Sequence, residues 1–201
     1  MNVKLFLCLI LLFYLAPLHA QSDTLLLHFL YGSKPAKDYR NSEKKFFGGI
    51  KGGHVDIELD GRTLDFFKGK CPLLPSNRKP TGSFRINHSV YWDTSSTKWA
   101  TIMIPISERQ AKKLDSLFNV YSQTTPYDYA VFGMRCAAAS YDVLSEIGLF
   151  RQISYRQNIV DNFYPKLLRK RIFHWAQKNH YAIIQHPGRV SRKWENDKGL
   201  L

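Results

Sequence analysis

Apolar residues recur along this chain at two spacings, and the change from one to the other divides it. Up to Ile106 the spacing is two. Thr24 to Leu30 is leucine-rich and followed by Gly32, Ser33 and Pro35, which predicts a buried strand. From His54 the alternation is plain, with Val55, Ile57 and Leu59 on one face and His54, Asp56 and Glu58 on the other, the last two read as a solvated face. Asp60-Gly61 is a two-residue hairpin signal, so Thr63 to Phe67 returns antiparallel and brings Asp65 opposite Asp56, a few residues from His54. Gly82 to Trp92, with Phe84, Ile86, His88 and Val90 on one face, and Trp99 to Ile106, with Ile102, Ile104 and Ile106 on one face, predict two more strands.

Beyond Ile106 the spacing becomes three to four. Ser107 and Gln110 form a capping box ahead of an apolar stripe of Ala111, Leu114, Phe118 and Tyr121. A second helix opens at Cys136 in the stretch PYDYAVFGMRCAAASYDVLSEIG and closes at Gly148. A third has Pro165 at its first position and runs to about Lys178, with Leu168, Ile172, Trp175 and Ala176 inward and Lys166, Arg169, Lys170 and Arg171 on the outer face. His180 to Gln185 offers a last strand. The class is α+β: a mainly antiparallel sheet of four to five strands packed against three helices.

The intervening segments read as loops. Tyr39 to Phe47 is charged without a period, Gly48, Gly49, Gly52 and Gly53 crowd the approach to His54, and Lys68 to Thr81 holds three prolines. Residues 1–20 have the form of a signal peptide, with Lys4, an apolar run from Leu5 to Leu15, and Ala20 before a cut at Gln21. That run is too short to span a bilayer, and no later stretch is long and apolar enough. The expectation is an exported chain whose residues 21–201 form a single domain, periplasmic or secreted.

The formal charge is +13. For an exported chain the matching neighbours are anionic envelope polymers or lipid head groups, and nucleic acid is not the expected partner. Cys71 and Cys136 remain after export, and an oxidising compartment keeps a bridge between them open as one reading. His174, His180 and His186 recur at a spacing of six that matches neither a helix nor a strand face, so no metal site is read there, and no cofactor is expected.

Cys136 has the setting of a nucleophile. A helix start favours a thiolate, Arg135 adds a positive neighbour, and Ala137 to Ala139 permit close packing on a sheet. His54 on its glycine-preceded strand is the candidate base, Asp65 the carboxylate that would fix its tautomer, and Tyr129 or Tyr127 the oxyanion partner. The dull alternative for Cys136 is a small buried hydrophobe.

Gly53-His54-Val55-Asp56-Ile57-Glu58-Leu59 resembles the GHVGIYLG strand of papain-like NlpC-type cell-wall peptidases. Tyr127-Asp128-Tyr129 through Cys136 resembles the helix start of their circularly permuted relatives, in which histidine also precedes cysteine. The run from the hairpin to the Cys136 helix is similar as well to a family of bacterial periplasmic domains of unknown function. The resemblance covers His54 to Gly148 and implies a permuted papain-like thiol hydrolase acting on a cell-wall peptide, or on a lipid ester by transfer. Arg135 stands where many relatives have asparagine. Their third polar residue is commonly histidine, asparagine or glutamine, which makes His88 a rival to Asp65. The alternative function is a non-catalytic basic module on the same scaffold, docking on anionic polymers through Lys166, Arg169, Lys170 and Arg171.

Overall fold

A computed structural model describes residues 23–31, 53–68, 72–75, 81–88 and 98–187. The segments around Tyr39, Cys71 and Val90, residues 1–20 and the basic tail therefore lie outside the described residues. Among the described residues six strands form one antiparallel sheet: β1 (Asp23–Tyr31), β2 (Gly53–Leu59), β3 (Arg62–Lys68), β4 (Gly82–Asn87), β5 (Trp99–Ile106) and β6 (Ile183–His186), in the spatial order β4-β3-β2-β1-β5-β6. Four helices follow β5, namely α1 (Glu108–Gln123), α2 (Cys136–Glu146), α3 (Tyr155–Asp161) and α4 (Pro165–Lys178). The α+β class is as the spacing predicts. The sheet gains its sixth strand because 183–186 pairs along β5, Trp99 opposite His186 and Ile102 opposite Ile183. The additional helix, α3, is too short at seven residues to print a stripe, and only its Ser154 cap marks it in the sequence.

One face of the sheet is apolar and sits under the helices. Leu25, Leu27 and Phe29 of β1, Val55, Ile57 and Leu59 of β2, and Ile102 and Ile104 of β5 are buried there with Leu114, Phe118, Leu144, Leu168 and Ile172. Each such side chain contributes about 1.5–3 kcal/mol by leaving water. The capping box of α1 is formed, with Ser107 Oγ accepting from the Gln110 backbone N–H and Gln110 Oε1 accepting from Ser107 N–H at 3.0 Å. Gly148, at φ 75°, closes α2 in the left-handed conformation that glycine takes without a Cβ clash.

The opposite face carries polar residues, and several are buried. His28, Asp56, Thr63, Asp65 and Thr101 are each 4 % exposed or less. This corrects the reading of Asp56 and Glu58 as a solvated face. Asp56 is closed in between its register partners His28 on β1 and Asp65 on β3. Glu58 is only partly exposed and accepts from His28 Nε2 at 2.9 Å.

The Asp60-Gly61 turn has φ of 51° and 72°, the two positive values of a type I′ hairpin, and it fixes Asp56 opposite Asp65. The β2–β3 ladder ends at that pair, while β2 continues to pair with β1 as far as Gly53. His54 therefore lies at the sheet position where β2 still has β1 but no longer has β3.

Candidate active site

His54 reaches back across the end of the ladder. Its Nε2 is hydrogen-bonded to Asp65 Oδ1 and lies 2.8 Å from Asp56 Oδ1. Phe67 lies beside the ring, with centroids 5.7 Å apart. Burial by itself would hold the imidazole neutral, but its interactions with Asp65, Asp56 and Cys136 outweigh it and raise the His54 pKa well above its ordinary 6.5. Asp56 moves the other way for a carboxyl: burial, with Asp65 beside it, pushes it up to about 8 in spite of His54.

The Cys136 thiol lies within electrostatic range of both His54 and Tyr129. It is a free cysteine, buried at the first residue of α2. Ser140, one turn later, donates to the Val55 carbonyl at 3.4 Å, so the helix runs along β2 and its start falls at the His54 end. Ala137, Ala138 and Ala139 are all fully buried beneath it, which is the close approach their size permits. Residue 135 caps the helix without a side-chain bond. Instead the Arg135 guanidinium is stacked 4.8 Å from the Phe163 ring centroid and 5.5 Å from that of Tyr164.

Tyr129 is held from several sides. Its carbonyl accepts from Thr81 Oγ1 at 2.6 Å, its ring lies 5.2 Å from Phe66, and it forms a parallel bridge with Met134. Gly82 is what lets the loop come so close, since a Cβ there would stand 2.6 Å from Tyr129 Cβ and 2.9 Å from the Phe67 carbonyl. Burial, then the neighbouring Cys136, raise the Tyr129 pKa, with Arg135 and His54 opposing; the phenol is a neutral O–H donor across the working range.

The four residues read as a site, Cys136, His54, Asp65 and Tyr129, are thus gathered at one end of the hairpin. His88 is exposed on the last described residue of the β4 segment. It follows Asn87, whose register partner is Thr63, which puts it at the turn end of β3, away from Asp65. Asp56 was the residue missed, and its signal was in the sequence: it is two residues from His54 on one strand face and opposite Asp65. A second polar chain on the same sheet face has His28 Nδ1 3.0 Å from Thr101 Oγ1, which lies 3.3 Å from His186 Nε2, while His186 stacks on Trp99 at 3.5 Å.

The basic outer face of α4 is smaller than its sequence implies. Arg169 is buried, with its guanidinium 3.6 Å from the Tyr31 ring centroid, because β1 ends under that turn of the helix. Lys170 and Arg171 are exposed and Lys166 half-buried. Arg171 donates to Asn162 Oδ1 at 2.8 Å.

His54, Asp56 and Asp65 each place one donor atom within 4.8 Å of the other two, the one such metal-ligating group among the described residues. A tetrahedral ion with bonds of about 2.0–2.2 Å would hold its ligand atoms about 3.4 Å apart. The His54 nitrogen is closer than that to both carboxylates, so in this arrangement the group is spaced for direct imidazole–carboxylate contact and not for a tetrahedral ion.

Fold and site together describe an α+β protein in which a cysteine at a helix start lies within electrostatic range of a histidine–aspartate pair at the end of the β2–β3 ladder. No protein-family model matches the chain, and no curated protein matches it. Among solved structures, the crystal structure of the type VI secretion system effector TseH is similar at 11 % identity and a TM-score of 0.44, over 71 % of this chain and 88 % of that one. No helix among the described residues is long and apolar enough to cross a membrane.

Proposed function

We propose that this chain is an exported thiol hydrolase that cleaves an amide or ester through an acyl-enzyme on Cys136. The observation that supports it best is the pairing of His54 Nε2 with Asp65, with the Cys136 thiol in electrostatic range of the same ring. Because Nε2 is engaged by carboxylates, the nitrogen that exchanges a proton with the sulfur is Nδ1. The thiolate attacks the substrate carbonyl carbon, and the carbonyl oxygen takes the negative charge. The Tyr129 hydroxyl and the backbone N–H of Cys136 are the donors assigned to it. Collapse of that intermediate breaks the C–N or C–O bond as His54 gives its proton to the leaving group. His54 then takes a proton from water, which attacks the thioester and returns Cys136.

The substrate class proposed is a peptide of the cell wall, from the pattern of the His54 strand and the Tyr127-to-Cys136 loop; a lipid ester is the other acyl donor this chemistry accepts. Lys166, Lys170 and Arg171 would face an anionic polymer carrying it. The test is hydrolysis of purified wall fragments and labelling by an iodoacetamide probe, each with wild-type protein and with Cys136→Ala. Loss of both in the variant is the expected result. Hydrolysis that survives the substitution would sink the reading.

A further inference from the structure

Two buried carboxyl groups converge on one imidazole nitrogen, and that nitrogen has one N–H to give. The hydrogen bond goes to Asp65 Oδ1. Asp56, 1 % exposed, has His54 Nε2 at 2.8 Å from Oδ1, yet neither of its oxygens accepts a hydrogen bond among the described residues, and Asp65 Oδ2 likewise has none. As a carboxylate, Asp56 would be a second buried negative charge sharing the single N–H of His54 Nε2 with Asp65, an arrangement that costs several kcal/mol. As a carboxylic acid it becomes a donor, and Asp65 is its register partner directly across the hairpin.

We propose that Asp56 is a positioning residue of the Cys136–His54 pair: its carboxyl carries a proton, donates it to Asp65, and leaves Asp65 as the one carboxylate that orients the His54 ring. The inference rests on the thiol–imidazole reading above. The groups that face Asp56 agree with it. From its own strand comes His54, from β3 Asp65, and from β1 His28, whose two ring nitrogens are engaged by Thr101 and Glu58. From β4, Arg85 is the register partner of Asp65 but is exposed and lies 5.1 Å from the Phe67 ring centroid. From α2, Cys136 acts through His54. No cation other than His54 is available to Asp56 within this set, and burial with the adjoining Asp65 raises its carboxyl to about 8.

The test is the rate of Cys136 alkylation by iodoacetamide as a function of pH, in the mature wild-type protein, in Asp56→Asn and in Asp56→Ala. An amide at 56 replaces a neutral donor with a neutral donor. The expected result is that Asp56→Asn keeps the acidic limb of the wild-type profile and loses an inflection near pH 8 at which the wild-type carboxyl ionises. Asp56→Ala, with no donor, slows alkylation at pH 6.5 by about tenfold or more, and the amide rescues it. An acidic limb displaced by about one pH unit in Asp56→Asn, a tenfold change in thiolate, would show that a negative charge had been removed and would overturn the proposal. So would an inflection that persists without the carboxyl. Should the alanine variant fail to fold, the His54 C2–H resonance titrated in wild type and Asp56→Asn reads the same inflection. Failure of the hydrolase reading is recognised separately, since it appears as wall-fragment cleavage that survives Cys136→Ala while these titrations still report on Asp56.

Discussion

His54 and Asp65 are hydrogen-bonded on a diagonal: the register partner of Asp65 is Asp56, and His54 lies two residues beyond that last pair of the ladder. The ring is therefore held by a carboxylate on β3 past the point where β2 and β3 pair, while the register partner of His54 is Leu30 on β1. Asp65→Ala should leave the sheet intact and lower turnover on the cleaved substrate by about a hundredfold or more, the scale of losing an oriented acid–base group. Steady-state kinetics beside a circular dichroism spectrum check this. A variant that keeps wild-type turnover would remove Asp65 from the site.

The buried acids and the imidazole tie stability to pH. Asp56 is raised from 3.8 to about 8 and Asp142 from 3.8 to about 6, each by burial first, while His54 is raised well above 6.5. In all three the folded chain binds protons that the unfolded chain has released, so stability falls as pH rises between the unfolded and folded values. The expected melting temperature is highest near pH 4 and declines toward pH 9, with a slope of at most about 1.4 kcal/mol per pH unit for each group. Asp56→Asn should flatten the decline between pH 4 and 8. Thermal melts at unit pH steps measure it, and a melting temperature that rises over that range contradicts the assignment.

Gly82 is set by contact. Adding a methyl group there forces apart Tyr129 Cβ and the Phe67 carbonyl, so Gly82→Ala should destabilise the fold by about 1–3 kcal/mol. Because Tyr129 must move, it should also slow alkylation of Cys136 in protein that remains folded. Denaturant titration and the alkylation assay separate the two effects.

Asn158 is a buried joint between helices. It donates to the Ala138 carbonyl of α2 at 3.0 Å and accepts from Asn162, which in turn accepts from Arg171 of α4. Asn158→Ala leaves a buried carbonyl and a buried amide unpaired and should cost about 1–3 kcal/mol. By contrast Ser107→Ala, which removes the α1 cap far from Cys136, should cost about 1 kcal/mol and leave alkylation unchanged. Paired unfolding curves check both.

What the sequence discloses of the fold follows from how local its causes are. Alternation set β2 and β5, the Asp60-Gly61 pair set the hairpin and hence Asp56 opposite Asp65, and Ser107 with Gln110 set the start of α1. These depend on neighbours in sequence. Asp56 was misread because a carboxylate on an alternating strand is ordinarily solvated, and what buries it is β1 on one side and β3 on the other. Arg169 was misread for the same reason: its place on the helix wheel is polar, but Tyr31, well over a hundred residues earlier, covers it. Seven-residue α3 has too few positions for a period to register. Strand order, with β1 between β2 and β5, had no local signal at all.

The turn at Asp60-Gly61 is solvent-exposed and far from the sulfur, the kind of spot that ordinarily tolerates an inserted residue. Here it acts as a length gauge. One added residue would slide β3 by a single step, turn Asp65 toward the helices, and present Leu64 or Phe66 to His54 instead. Such an insertion would keep every residue of the proposed machinery and still disarm it, so among homologues of this chain the spacing between His54 and Asp65 is a better marker of an active member than the identity of either residue.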